Sequence, residues 1–399
     1  MSVIGHAPRS HSIRIVLLLV GVLAARSANA CSTFLIKDGP TVIVGHNLDQ
    51  DFYTPGSLLI NPRGQTRHSR CATDLGLTNA RALPLSWTSR FGSATFTILG
   101  QGFPDGGVNE AGLVIAEMAL GESRFPRSPN KPVMFIHQWI QYQLDSYASV
   151  SEVLSHVDDI NIDPRATFSP VSMANYHLFV ADANGAAATI EFLDGRVVVH
   201  SEQSLPVPVL CNIPYAVEMK RYAASAGLLG PLYRWFDSGS DQRFLIGADG
   251  LAHFDPTTHQ NSVEYAFNLL ADMQFPRTRQ WSIVYDVADR AVAFRTARSP
   301  EIKTLDLRSI DFSAGTTVRA VADIDAIGSG DISDGFEPLS EDVNRAIIGR
   351  FLTSLVGFVS GSGDRAVMDE YLRSQHDLTL QEFIARAHRM SLSALSESQ

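Results

Sequence analysis

The chain has 399 residues, 45% hydrophobic and 19% charged, an ordinary globular composition with enough apolar material for a large layered core. A formal net charge of -10 speaks against nucleic acid as a partner. Three cysteines are too few for a disulfide scaffold, and none of the twelve histidines sits in a local ligand pattern such as H-E-x-x-H, so no metal or other cofactor is expected.

Arg9 and Arg14 precede an apolar run from Ile15 to Ala25, shorter than the ~20 residues a bilayer span needs. Ala28-Asn29-Ala30 follows as an A-x-A cleavage pattern. Residues 1–30 therefore read as a signal peptide, and the product is expected in the periplasm or outside the cell, with no stable membrane span after cleavage. Cutting after Ala30 leaves Cys31 first, with a thiol and a free α-amine on one residue. That amine has a reference pKa of about 7.7–8.0 and can take the thiol proton directly or through one water. This is the chemistry of an N-terminal nucleophile. The competing readings are an uncleaved anchor and lipidation of Cys31, although Ala28 and Asn29 match the lipidation box poorly.

From Cys31 the pattern predicts a hairpin, Phe34–Ile36 and Thr41–Gly45 around Lys37-Asp38-Gly39-Pro40. A polar loop, Gly45–Gln50, is expected to leave its second strand. Strands are predicted at Ser57–Ile60 and from Ser86 to Leu99. In Asp105–Gly112, glycines flank Asn109 and let the backbone approach a ligand, and a strand follows Gly112. Val133, Ile136, Ile140 and Leu144 recur at helical spacing, and a second helix runs from Ser149 or Ser151 through Val157; the two form one layer on a sheet. A meander spans His177–His200 with Asn-Gly and Asp-Gly turns, and Val207–Asn212 is a further strand. Beyond a loop-rich stretch, Gly227 to Gly239, helices open at Asp241 and cover Asn261–Met273, and Gln280–Asp286 pairs with Ala291–Thr296. Residues 313–340 read as a linker or loop, and 341–399 as a helical C-terminal extension with Ile347, Ile348, Phe351, Leu352 and Leu355 on one face.

Five segments, in order, carry a resemblance: Cys31-Ser32-Thr33 behind the leader, Asn47-Leu48-Asp49, Gly107–Leu113, Leu210-Cys211-Asn212-Ile213-Pro214 and Asp241-Gln242-Arg243-Phe244. Over about residues 31–312 the chain resembles the choloylglycine hydrolase family of linear amide C–N hydrolases, which includes bile salt hydrolases and penicillin V acylases. Trp87–Ser93 and Arg279-Gln280-Trp281 resemble its exported Gram-negative branch. The resemblance implies an α+β fold, the four-layer αββα sandwich of the N-terminal nucleophile hydrolases. It implies Cys31 as nucleophile, Asp49 as the carboxylate orienting the α-amine, Asn109 and Asn212 as oxyanion donors, and Arg243 as electrostatic support. His46 stands where the family usually has arginine; a histidine there is mostly neutral at pH 7 and can share proton traffic. Gln50 replaces the aromatic residue that the exported branch favours. Cys71 and Cys211 are able to pair in an oxidising compartment, but Cys211 adjoins Asn212 and reads as buried beside the site.

The reading is an exported amidohydrolase cleaving an N-acylated small molecule, of bile salt, penicillin V or N-acyl-homoserine lactone type, through a thioester. Its alternatives are an acyltransferase of the same fold and a non-catalytic periplasmic lipoprotein or binding protein. Its partner is a small-molecule amide, and it is a candidate homo-oligomer.

Overall fold

The computed structural model describes residues 31–359 except 51, 75–81, 164–174, 226–239, 260 and 275–278, and beyond them only 379, 382 and 385. The leader, the stretch from Gly227 to Gly239 and most of the chain after 359 lie outside the described residues. In chain order the elements are β1 (Ser32–Asp38), β2 (Thr41–Asp49), β3 (Ser57–Asn61), β4 (Thr66–His68), β5 (Ser86–Thr88), β6 (Ser93–Thr97), β7 (Gly106–Asn109), β8 (Val114–Ala119), β9 (Val133–Met134), α1 (Ile136–Ser146), α2 (Val150–His156), β10 (Asn161–Ile162), β11 (Tyr176–Ala181), β12 (Ala187–Leu193), β13 (Arg196–Ser201), β14 (Val209–Leu210), α3 (Tyr215–Ser225), α4 (Ser240–His253), α5 (Ser262–Asp272), β15 (Arg279–Asp286), β16 (Ala291–Thr296), β17 (Lys303–Asp306), β18 (Arg319–Val321), β19 (Gly330–Asp331), β20 (Glu337–Pro338) and α6 (Glu341–Val359).

Two large sheets stack face to face. One has seven strands in the order β14-β1-β2-β15-β16-β17-β19, and the other nine, β13-β12-β11-β8-β7-β6-β3-β18-β20. Helix α1 covers the outer face of the nine-stranded sheet, where Trp139, Ile140 and Leu144 join Ile115, Leu178 and Ile190 in one apolar cluster. Helices α4 and α5 cover the outer face of the seven-stranded sheet through Phe244, Phe267 and Leu270. This is the four-layer α+β sandwich, helix–sheet–sheet–helix.

The hairpin β1–β2 lies inside its sheet, with β14 on one side and β15 on the other. Both of its faces are covered, which is why Val42, Ile43 and Val44 form an unbroken apolar run. Gly45 is required by packing: a Cβ there would stand 2.4 Å from the Phe34 ring.

Several expectations change. Gly45–Gln50 is no loop, because β2 continues to Asp49 and pairs with β1 and β15 throughout. Its polar side chains find partners indoors: Asn47 Nδ2 donates to Leu270 O at 2.7 Å, and Asn47 Oδ1 accepts from Ser282 Oγ at 2.7 Å. Gly106–Asn109 is also a strand, whose glycines admit the neighbouring backbones, and the turn comes at Gly112, where φ is +90°. The predicted strand from Ser86 is interrupted at Ser89–Gly92. Residues 313–340, read as a linker or loop, are largely irregular but tied into both sheets, β18 pairing with β3 and β19 with β17. On α6, Ile347, Ile348, Phe351 and Leu352 are buried as expected, Ile347 against Leu59, Val318 and Ala320.

Candidate active site

Cys31 sits at the head of β1, 4% exposed, in the core between the sheets. Its Sγ lies 3.7 Å from the carbonyl oxygen of Asp49, which the thiol meets as a weak donor. Burial is the largest influence on this thiol and pushes its pKa up to about 12; the Asp49 carbonyl opposes that, and the charges of Asp49 and Glu117 add to it. The thiol therefore stays protonated at neutral pH until a base removes its proton.

The side opposite the thiol is organised by Arg243 of α4, itself buried. Its guanidinium donates to the carbonyl of Cys31, to Ser32 Oγ at 2.7 Å and to Asn212 Oδ1 at 2.8 Å. One planar fork thus fixes the backbone of the cysteine and the side-chain amide of the asparagine together. Asn212 Nδ2 donates to Ala119 O at 2.7 Å, bridging from the end of β14 to the end of β8, and its backbone N–H donates to Ser240 Oγ at 2.8 Å. The β1–β2 hairpin, the end of β14 and α4 thus bring together Cys31, Asp49, Asn212 and Arg243.

His46 is on the same face of the hairpin as Cys31, because Thr33 and His46 are cross-strand partners and Cys31 lies two residues before Thr33. Its Nδ1 is 2.8 Å from Thr33 Oγ1, which in turn is 3.2 Å from Met118 Sδ on the facing sheet. Burial drives the ring's pKa down to about 4, partly opposed by the Ser32 backbone. His46 is neutral through the physiological range.

Asn109, which the resemblance implies as an oxyanion donor, has its side-chain amide and its backbone N–H bonded away from this group. Its Nδ2 donates to Leu144 O at 2.9 Å and Tyr147 O at 2.7 Å, and its Oδ1 accepts from the N–H groups of Ala111 and Leu113. Both amide hydrogens are spent capping the C-terminal end of α1 in the outer helical layer. Val108, the neighbouring strand residue, faces the inter-sheet core instead.

Sequence reasoning missed a second tier. His177 Nε2 is 2.7 Å from the carbonyl of Cys211, and its Nδ1 is 3.1 Å from Glu191 Oε1, which also accepts from the Tyr215 N–H. The imidazole and carboxylate, both fully buried, hold the carbonyl directly before Asn212. The available signal was a histidine and a glutamate in otherwise apolar strands. Cys31, Cys71 and Cys211 are all free thiols, so Cys71 and Cys211 do not pair; Cys211 is buried with its Sγ 3.8 Å from Ser32 Oγ.

A helix–sheet–sheet–helix sandwich with a buried cysteine at the head of a central strand is the fold of the N-terminal nucleophile hydrolases. The sequence profile of linear amide C–N hydrolases, choloylglycine hydrolase family, matches residues 31–228, just under half of the chain, which is similar to that family over this stretch. With the relatives that follow, this match marks the chain as a hydrolase acting on carbon–nitrogen bonds in linear amides. A penicillin V acylase of Pectobacterium atrosepticum is 25% identical over 295 residues, 64% of this chain and 77% of that protein. Among solved structures, a penicillin V acylase from Agrobacterium tumefaciens matches with a TM-score of 0.61 at 20% identity, covering 78% of this chain and 98% of its own. A conjugated bile acid hydrolase variant from Clostridium perfringens matches with a TM-score of 0.58 at 15% identity, covering 73% of this chain and 96% of its own.

Proposed function

We propose that this chain is an exported amidohydrolase whose nucleophile, Cys31, becomes the N-terminal residue when residues 1–30 are removed, and that it cleaves an N-acylated small molecule of the kind penicillin V acylases and bile acid hydrolases take. The observation that carries this reading is the buried Cys31 thiol beside Asp49, with Arg243 binding the cysteine carbonyl and Asn212 at once. A thiol with its pKa raised by burial needs a base in place, and the α-amine of the same residue is the nearest one chemistry provides. Asp49 orients that amine. The amine takes the Sγ proton, sulfur attacks the acyl carbon, and Asn212 Nδ2 turns from the Ala119 carbonyl to the oxyanion. The C–N bond breaks, the departing nitrogen takes the proton back from the amine, and water then hydrolyses the thioester. His46, neutral and hydrogen-bonded to Thr33, shapes the wall of the site. A panel of N-acyl amides tested on protein starting at Cys31 is expected to give turnover that Cys31→Ala abolishes. Full turnover by Cys31→Ala overturns the reading.

A further inference from the structure

Across the nine-stranded sheet from Cys31, three ionisable side chains from separate elements meet under the outer helical layer. They are Asp105 immediately before β7, Glu117 on β8 and His137 in the first turn of α1, each 3% exposed. His137 Nε2 lies 3.8 Å from Asp105 Oδ1 and 4.0 Å from Glu117 Oε1, and one ligand atom of each residue lies within 4.8 Å of the other two. The trio is built: Asp105 Oδ2 accepts the Ile98 N–H at 2.8 Å, which fixes the carboxylate with Oδ1 toward the imidazole. The ring edge of His137 is set against Tyr176, centroids 5.3 Å apart. Glu117 Oε2, in contrast, is buried with no hydrogen-bond partner among the described residues. Two carboxylates in a dry interior cost a great deal unless a proton or a cation neutralises them, and His137, held neutral by burial, faces both with a ring nitrogen.

We propose that Asp105, Glu117 and His137 bind one divalent transition-metal ion of the zinc or manganese class. Ligand atoms about 2.0–2.2 Å from a zinc ion lie at most about 4.4 Å from one another, so the observed separations to His137 Nε2 need little movement. One imidazole and two carboxylates suit such ions, whereas magnesium prefers to keep several waters. The ion balances the two carboxylates and gives Glu117 Oε2 a partner, either directly in bidentate fashion or through a bound water. It also ties α1 to β7 and β8 across the outer face of the sheet, so its role is to brace the fold and not to touch the thiol.

The test uses the folded enzyme stripped with a chelator, desalted, and equilibrated with Zn2+ or Mn2+. Bound metal is counted by elemental mass spectrometry, and thermal unfolding is followed with and without each ion. One ion retained per chain is expected, with a rise of several degrees in Tm that Glu117→Gln and His137→Gln each reduce while weakening affinity at least about tenfold. If Glu117→Gln does not fold, His137→Gln alone carries the comparison. Less than about a tenth of an ion per chain for both metals, with no Tm shift, overturns the proposal and leaves the carboxylates sharing a proton. Retention undiminished in the variants also overturns it, because the ion is then bound elsewhere.

Discussion

At the scale of single residues, the thiol and two polar neighbours separate chemistry from construction. Cys31→Ser is expected to keep at most a trace of activity, since a hydroxyl is harder to deprotonate than a thiol, with a melting temperature close to wild type. Asn212→Ala is expected to lower kcat by roughly 100-fold or more, as loss of an oxyanion donor does. Asn109→Ala should behave oppositely. It strands the carbonyls of Leu144 and Tyr147 and the N–H groups of Ala111 and Leu113, so denaturant titration should show a loss of about 2–4 kcal/mol. The kcat of its folded fraction stays near wild type; a large kcat loss at unchanged stability would return Asn109 to the site. His46 links to stability through pH. The unfolded chain takes a proton there below about pH 6.5, and the folded one only near pH 4, so His46 stabilises fully above pH 6.5 and less as the pH falls through that window. His46→Gln should therefore lose less Tm than wild type between pH 7 and pH 4.5. Equal losses in the two proteins would place the ring in water.

At the scale of elements, the strands and helices were legible wherever one period ran unbroken. The hairpin β1–β2, the meander β11–β13 and helices α1, α2, α4 and α5 follow from alternation, from turns such as Asp194-Gly195, where both residues have positive φ, and from caps such as Ser149 and Asn261. What failed were polar stretches that the fold takes indoors. Gly45–Asp49 resembles a loop because its polar residues are visible in sequence while their partners, Leu270 O and Ser282, lie more than 220 residues away. Asn109 shows the same blindness in reverse: a glycine-flanked asparagine suits a site, and only the packing of α1 reveals what its amide serves. The pair His177–Glu191 belongs to this scale as well, because it positions β14 and the asparagine after it. His177→Phe is expected to lower kcat about tenfold with KM little changed, through loss of the grip on the Cys211 carbonyl. A fall in stability alone, with kcat intact, would make the pair purely structural.

At the scale of the whole molecule, a few long-range ties assemble the site between two sheets and through one helical layer. Arg243 is read from sequence by resemblance alone, and its geometry shows why the position matters: it reaches three groups from two strand ends. No helix among the described residues is long and apolar enough to cross a membrane. Helix α6 covers Leu59, Val318 and Ala320, so ending the chain at residue 340 should expose that patch and lower Tm. The central claim concerns the other end of the chain. The most direct measurement is peptide-level mass spectrometry of enzyme acid-quenched during turnover of an N-acyl amide. The account predicts a chain beginning at Cys31 that carries the acyl group on that residue's sulfur. An acyl group on any other residue, or full turnover by a chain whose Cys31 amine is blocked, would contradict it.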